Sequence, residues 1–293
     1  MYQLAPFYIE LGGIRIAHRE WDSHPDNIYI YWETGLDGWW STPDAKISLT
    51  ERTISDGAYP ITDEDVIYSA RTVTFGVCIY NYNDRSRTIK AMNKLNALAH
   101  KMVQLRVVDA DTDTFATGYV TVQWETSRNQ DWHIGDVTVV CPDPRRYSWD
   151  LKQVYLGATS GSTTDGLQYS TSNNGILIPL NYGSPAEEVD SSMGLENAGT
   201  AIAYPKITLT GNMSEVTLSS VTTGGTMTYK PTVGDIGVVL DSFSKTATSN
   251  GVDLTSGVEG TWFPTIPPQG SEMLAMSSVG SGSAVVTWRD TYI

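Results

Sequence analysis

The chain has 293 residues, of which 40% are hydrophobic and 18% are charged, and its formal net charge is -14. These values exclude a disordered chain and leave room for two domains of ordinary size. Residues 1–150 carry 14 basic against 21 acidic side chains, and residues 151–293 carry 5 against 12. Neither half is basic enough to hold a phosphate backbone or an anionic membrane surface.

The aromatic and cysteine contents indicate a folded β protein. The 16 Tyr and 9 Trp favour strands, and the 26 Gly supply turns. The two cysteines, Cys78 and Cys141, lie within apolar runs, so we expect buried free thiols and no disulfide framework. The opening run MYQLAPFYIELGG lacks the features of a signal peptide, and no run approaches the ~18 apolar residues of a membrane span. We therefore expect folding in a cytoplasm and no membrane contact.

The first predicted elements are short strands over residues 5–32, where apolar and polar side chains alternate. The next segment, 33–65, is rich in Gly, Pro and acids, and we interpret it as a long hairpin arm. This arm carries Trp39 and Trp40. Exposed aromatic residues anchor protein interfaces or stack on sugars, and we take both tryptophans as candidate oligomer contacts. The strand pattern resumes over residues 66–80.

A single helix is predicted over residues 84–102, with Asp84 as its N-cap. Its apolar side chains fall on one stripe at helical spacing, namely Ile89, Met92, Leu95, Leu98, Ala99 and Met102. Three further strands follow, and prolines at positions 142 and 144 then break the strand pattern. An N-terminal domain is therefore expected to span residues 1–150.

Residues 151–293 are predicted to form a second, all-β domain. Its first part, at about 151–174, is rich in Ser, Thr and Gly, which is typical of a linker or surface loop. From Gly175 onward, short strands alternate with turn dipeptides such as Asn250-Gly251. This pattern is typical of an antiparallel β-sandwich.

The sequence contains no arrangement with the spacing of a familiar catalytic or metal site. The histidines, which form no metal-ligand pair, are His18, His24, His100 and His133. Asp109, Asp111 and Asp113 have the spacing that opens a calcium loop, but Thr114 and Val120 replace the required Gly and acid. We predict an acidic turn there. No catalytic residue, cofactor or metal site is predicted in the chain.

Two ordered series of sequence runs are the most informative feature. The first comprises TISDGAYPITDEDVIYSAR, ARTVTFGVCIYN, RTIKAMNKLNALA, QLRVVDADTDTFATGYVTVQWE and VVCPDPRRY. The second comprises GILIPLNYG, ENAGTAIAYPKITLTG, TSNGVDL, TWFPTIPPQGS and VVTWRD. The first series resembles the N-terminal region of siphophage distal tail proteins, and the second resembles the galectin-like sandwich that follows it in that family. Similar chains of actinobacterial phages are called minor tail proteins.

The resemblance implies a mainly β fold, with a sandwich- or barrel-like ring domain that carries one α-helix and the arm, followed by a galectin-like antiparallel sandwich. Six copies would form a homo-hexameric ring, with each arm reaching around a neighbour and a channel left for DNA to pass. The implied partners are the tail tube protein, the tape-measure protein, and the tail hub, tail-associated lysin or receptor-binding proteins. The protein would belong to the virion tail tip or baseplate and be assembled in the host bacterial cytoplasm. The family carries no catalytic residues.

Sugar-binding galectins use a cluster of His, Asn, Arg and Trp, whereas residues 151–293 contain no His and a single Arg, Arg289. The second domain is therefore expected to dock proteins and not sugars. Two other interpretations stay open. One is a carbohydrate- or receptor-binding module that uses Trp39, Trp40 or Trp262. The other is a β-sandwich glycoside hydrolase, although no pair of carboxylates stands out among so many acids.

Overall fold

The structure is a computed structural model, and it describes residues 7–17, 26–31, 35–48, 50–59, 66–99, 101–125, 132–157, 192–234 and 236–293. The chain divides into two compact units. The N-terminal unit comprises Met1–Asp150 together with Thr291–Ile293, and the C-terminal unit comprises Leu151–Asp290. The second unit thus ends three residues before the predicted boundary at 293, because the last strand of the chain pairs with Arg146–Ser148 in the first unit.

The strands and helix of the N-terminal unit are β1 Phe7–Leu11, β2 Ile14–Ala17, β3 Ile28–Ile30, β4 Leu36–Asp37, β5 Arg71–Tyr80, α1 Arg85–Asn96, β6 Met102–Asp109, β7 Thr112–Trp124, β8 Trp132–Cys141 and β9 Arg146–Ser148. Those of the C-terminal unit are β10 Lys152–Gly157, β11 Ser192–Asn197, β12 Lys206–Ser220, β13 Thr226–Tyr229, β14 Val238–Asp241, β15 Thr246–Ser249, β16 Val252–Asp253, a 3-10 turn Thr255–Gly257, β17 Val258–Glu259 and β18 Gly270–Trp288. The final strand, β19 Thr291–Tyr292, returns to the N-terminal unit. The prediction of a mainly β fold is confirmed.

Seven strands of the N-terminal unit close into a barrel, in the order β7-β6-β1-β2-β3-β5-β8 and back to β7. Every neighbouring pair is antiparallel except β2 with β3, which are joined in parallel through Ala17 and Tyr29. Outside this circuit, β4 adds to β5, and β9 joins β7 to β19. Closure leaves no open sheet edge around the circuit, which protects the barrel from unintended strand pairing.

Alternating side chains of the barrel strands fill its interior. On β5, Val73, Phe75 and Val77 are fully buried, and the strands on the far side supply residues such as Leu105 and Val139. A small barrel has an interior just wide enough for such side chains, so it forms a packed core and not a pore. The helix packs against this core through Ala91 and Leu95.

The helix is shorter than predicted. Asp84 does cap it, since its carboxylate accepts a hydrogen bond from the backbone N–H of Arg87 at 2.9 Å. The helix ends at Asn96 and not at 102, because the chain tightens through i to i−3 hydrogen bonds at Leu98 and Ala99, and Met102 already pairs with β7.

The buried face of the helix also differs from the predicted stripe. The buried residues are Thr88, Ala91 and Leu95, whereas Ile89 is exposed. Thr88, Ala91 and Leu95 are three and four residues apart and therefore share one face, from which Ile89 is turned by about 100°.

The C-terminal unit is a nine-stranded antiparallel sheet built on two long strands, β12 and β18, which pair with each other along most of their length. One end of this pair carries β10, β14, β15 and β16, and the other carries β11, β13 and β17. One hydrophobic cluster collects buried residues from both ends, for example Leu209 and Val238 from the first and Leu218 and Leu274 from the second. The sheet therefore folds over on itself to form a sandwich.

Glycines mark the position of this fold. Gly211 and Gly280 have φ angles of 114° and 104°, and a Cβ on Gly280 would lie 2.4 Å from the carbonyl oxygen of Asn212. The register between the two strands shifts at Ser214/Thr217, immediately beyond this point. Such bulges and glycines let a long strand pass from one layer of a sandwich to the other.

Two predicted features, the latter part of the linker at about 151–174 and the strand around GILIPLNYG, fall within 158–191 and lie outside the described residues. Across the described ranges, no helix is long and apolar enough to cross a membrane.

Candidate functional site

The predicted arm leaves the barrel at β4, and its first residues are fixed by one buried arginine. The Nη1 atom of Arg71 donates hydrogen bonds to the carbonyl oxygens of Gly38, Trp39 and Ser41 at 2.8, 3.0 and 2.7 Å. Its Nε donates to the carbonyl of Pro144 at 2.8 Å. A planar guanidinium suits this task because its donors form a rigid fork. We call residues 38–41 the arm root.

The arm root also requires a glycine. Gly38 has a φ of 77°, and a Cβ at this position would lie 2.0 Å from the carbonyl oxygen of Thr72. Only glycine accepts both this dihedral angle and so close an approach of the neighbouring strand. The local sequence therefore holds the arm root against the first residues of β5.

The two adjacent tryptophans of the arm root have different environments. Trp39 is fully buried and belongs to the barrel core, whereas Trp40 is 48% exposed. Trp39 is thus a core residue whose indole has no surface to offer another subunit in this conformation. Of the two candidate oligomer contacts, only Trp40 lies at the surface, and its role in assembly remains a prediction.

A second buried arginine, Arg146, lies beside the arm root. The Cζ atom of its guanidinium is 5.1 Å from the ring centroid of Trp40, 5.5 Å from that of Trp39 and 5.9 Å from that of Tyr292. The residue is 6% exposed. Among the described residues, its buried Nε has no hydrogen-bond acceptor and no carboxylate forms an ion pair with the side chain.

Burial and, to a smaller extent, the positive charge of Arg71 together lower the pKa of Arg146 to about 10, while Tyr292 partly opposes the shift. Burial also lowers the pKa of Arg71, against a small opposing effect of Cys141. The Nη2 atom of Arg71 is a further buried donor without an acceptor in the described part of the chain. We call Arg71, Arg146, Trp39, Trp40 and Tyr292 the paired-arginine site.

Beyond the root, the described part of the arm lies open to solvent. Its only pairings are the isolated bridges Ala45 to Tyr68 and Glu51 to Ala58. Ile54, between the two ends of the second bridge, is 97% exposed. Ile54 therefore buries almost none of its surface within its own chain.

A different arginine–tryptophan arrangement occurs elsewhere in the N-terminal unit. The Cζ atom of Arg106 lies 3.8 Å from the ring centroid of Trp149. Its Nε and Nη2 atoms donate to the two carboxylate oxygens of Asp113 at 2.8 and 2.6 Å, and Nη1 donates to Glu10 at 3.4 Å. The hydrogen bonds to Asp113 raise the pKa of Arg106. We call these residues the paired-carboxylate site.

The acidic series predicted to form a turn does so. Asp109 pairs with Thr112 across the β6–β7 hairpin, where Ala110 has a φ of 50°, and Asp113 is held by Arg106. In the described ranges no group of three or more His, Cys, Asp or Glu side chains is placed to hold a metal ion.

The other residues singled out in the sequence are two cysteines, four histidines and Trp262. Cys78 and Cys141 are buried without forming a disulfide, and burial raises the pKa of Cys141 to about 11. His133 is buried beside Trp124, while His18, His24 and His100 lie outside the described residues. Trp262 packs partly buried against the core of the C-terminal unit and close under Gly225.

Comparison with known proteins identifies the fold. No family model matches the chain, and no curated protein matches it by sequence. Among solved structures, the fold is that of a phage adsorption-hub protein, as expected from the resemblance. One match is the crystal structure of the Dit protein (gp 19.1) of SPP1, described as a paradigm of the hub adsorption apparatus of phages that infect Gram-positive bacteria.

This match has a TM-score of 0.64 with 13% sequence identity, and it covers 98% of this chain and 99% of that one. Two structures of the phage p2 baseplate, in activated conformations with calcium and with strontium, align with TM-scores of 0.44 and 0.43, at 10% and 8% identity. These two alignments cover 96% of this chain and 97% of each baseplate chain.

Proposed function

We propose that this chain is a structural component of a bacteriophage tail tip. In this proposal six copies form a closed ring that joins the tail tube to the host-adhesion apparatus and leaves a channel through which DNA passes. The protein performs no chemistry and needs no cofactor. It belongs to the virion and is assembled in the cytoplasm of the host bacterium.

The observation that carries this proposal is the extent of the structural match. This chain and the SPP1 protein align over 98% and 99% of their lengths, so the match extends through both units. A fold alone does not define a function. A two-unit architecture that is shared over the whole length is more specific than a single common domain. It supports a structural role for this chain of the same kind as that of the SPP1 protein.

The ring would form through the N-terminal unit. A closed ring of identical subunits needs two different complementary patches on each copy. The exposed part of the arm, with Ile54 at its tip, supplies one such patch. The ring would stack against the tail tube protein and contact the tape-measure protein on the same axis.

The C-terminal unit would dock the hub, tail-associated lysin or receptor-binding proteins. Phe243 is exposed at the β14–β15 turn and meets the ring of Tyr204 edge-on at 5.4 Å, and Ile202 is exposed nearby in sequence. Exposed aromatic and aliphatic side chains of this kind favour contact with a protein. Because this unit has no His and a single Arg, it cannot assemble the cluster of sugar-binding galectins, and we favour protein docking over the alternative of a carbohydrate-binding module.

The ring is tested by the mass of the protein in solution. Light scattering of the full chain should give a mass near six times 32.1 kDa. Removing residues 48–58 deletes the arm tip but keeps Trp39 and the Ala45–Tyr68 bridge, so the variant should fold and give a smaller species. A full-size ring from this variant would contradict the arm's role, and a monomeric wild-type protein that binds glycans would favour the carbohydrate-binding alternative.

A further inference from the structure

The environment of Arg146 is unfavourable for a charged side chain in an isolated subunit. A buried ion is stabilised when it is paired and hydrogen-bonded, and it destabilises the fold when it is neither. Arg146 is 6% exposed, and among the described residues it has neither an ion pair nor an acceptor for its buried Nε. The surrounding rings offset part of this penalty through cation–π attraction, but they supply no hydrogen-bond acceptor.

The paired-carboxylate site shows that the same unit can satisfy an arginine within the chain. Arg106 also lies over an indole, yet it holds Asp113 through two hydrogen bonds and lies opposite Glu10 on the neighbouring strand. In the part of the chain that the structure describes, nothing comparable reaches Arg146. The missing acceptor is therefore particular to this position and not a general property of arginines in the barrel.

The charge around Arg146 favours a negatively charged group. Arg71 adds a second buried guanidinium, close enough to lower the pKa of Arg146, and one of its own donors also lacks an acceptor in the described part of the chain. Trp40 is half exposed beside the guanidinium. A carboxylate that arrived at this rim would meet a planar donor fork suited to its own geometry.

We propose that the paired-arginine site is a carboxylate-binding site, and that in the assembled ring an acidic side chain from a second copy of this chain occupies it. This inference rests on the proposed ring. It also identifies the second patch that a closed ring requires, at the root of one arm.

Charge complementarity identifies the occupant. The chain carries 33 acidic against 19 basic side chains, so every copy presents carboxylates in excess. Two of them, Glu51 and Asp56, are exposed at the arm tip and have no ion pair within the described residues. Binding a second copy therefore satisfies the buried donors of one subunit with groups that another subunit leaves unpaired.

The experiment separates the stability of the subunit from assembly. Arg146→Met keeps the stem and the aromatic packing but removes the charge. We expect a melting temperature of the dilute, monomeric protein equal to or above that of the wild type, because an unpaired buried charge is gone. Light scattering over a dilution series should show the midpoint of assembly shifted to about 30-fold higher protein concentration, since one partner of a buried pair is lost. Arg146→Lys keeps the charge without the planar fork and should give a smaller shift.

Arg106→Met is the matched control, because it removes an indole-stacked guanidinium whose carboxylates belong to the same chain. It should lower the melting temperature and leave the assembly midpoint unchanged. An Arg146→Met ring that forms at wild-type concentrations would overturn the carboxylate site and leave the ring proposal intact. A subunit destabilised by Arg146→Met would show that Arg146 is satisfied within its own chain and would also overturn the site. A wild-type protein that stays monomeric at every concentration would overturn both proposals.

Discussion

The paired-carboxylate site and the paired-arginine site place the same two chemical groups, a guanidinium and an indole, in one unit of the molecule. The two sites differ in the side chains that surround the guanidinium. Arg106 meets Asp113 and Glu10, whereas Arg146 meets Arg71 and three aromatic rings. Indole stacking is shared, so it cannot explain the difference between the two sites.

The difference lies in how far the donors of each guanidinium are satisfied within the subunit. Arg106 joins three strands, because Glu10, Arg106 and Asp113 lie on β1, β6 and β7. Arg71 is satisfied at its Nε and Nη1 atoms, by four hydrogen bonds to backbone carbonyls that hold the arm root, although its Nη2 has no acceptor in the described part of the chain. Arg146 is the exception, and its side chain is the one for which we infer a role outside the subunit.

The largest effect is expected from Arg71→Met. This change leaves the carbonyls of Gly38, Trp39, Ser41 and Pro144 without their shared donor and releases the backbone that places Trp39 in the core. We expect the free energy of unfolding to fall by about 3–5 kcal/mol, because several buried acceptors lose their partner at once. Urea denaturation followed by tryptophan fluorescence measures this loss.

Two further variants sharpen the result for Arg71. Arg71→Lys should recover only part of the stability, since an ammonium cannot reproduce the planar fork. Arg146→Met, in the adjacent guanidinium, should show no loss. If Arg71→Met and Arg146→Met had equal effects on stability, the distinction between satisfied and unsatisfied arginines would be wrong.

A smaller effect is expected from Arg106→Met. The side chain is 18% exposed and its carboxylate partners are each 33% exposed, so solvent screens part of the attraction. A bidentate pair of this kind contributes about 1–2 kcal/mol. Differential scanning calorimetry should show a lower melting temperature for Arg106→Met, with the difference reduced in 1 M salt. A salt-independent loss would mean that packing on Trp149, and not the ion pair, carries the stability.

The sequence was sufficient to predict most of the regular structure. Alternation on β5, β7 and β8 follows directly from the apolar and polar pattern, and Asp84 was identifiable as a helix cap. The end of the helix was not predictable, because the apolar residues beyond Asn96 fit both a helical stripe and the start of a strand. Pairing of Met102 with Tyr119 on β7 decides between them, and that contact is not local in sequence.

The candidate site was only partly predictable. Consecutive residues of an extended chain point to opposite sides, so the Trp39-Trp40 pair could have been predicted to place one indole inside and one outside. The arginines gave no such signal, because charged residues are rarely buried and their burial depends on tertiary partners. Arg71 and Arg146 are separated in sequence by half of the N-terminal domain, and barrel closure brings them together.

The smallest effect concerns His133, which provides a third arrangement of an ionisable group on an indole. The centroid of its ring lies 5.9 Å from that of Trp124, with the two rings stacked, and its buried Nδ1 has no hydrogen-bond partner among the described residues. Burial lowers the pKa of His133, the positive charge of Arg85 lowers it further, and Glu125 partly opposes the shift. An imidazole can lose its proton near neutral pH, whereas a guanidinium cannot, so His133 avoids the unpaired charge that Arg146 retains.

The sign of the resulting pH dependence follows from linkage. In the unfolded chain His133 binds a proton as the pH falls below about 6.5, whereas the folded protein resists protonation until a lower pH. The contribution of His133 to stability is therefore complete above about pH 6.5 and is lost as the pH falls through the lowered folded-state pKa. We expect His133→Gln to lose less stability than the wild type between pH 7.5 and 5.5, with a difference under about 1 kcal/mol. Urea denaturation at the two pH values measures it, and the comparison cancels the other histidines because both proteins contain them. Equal losses in the two proteins would show that His133 is protonated as readily in the barrel as in the unfolded chain.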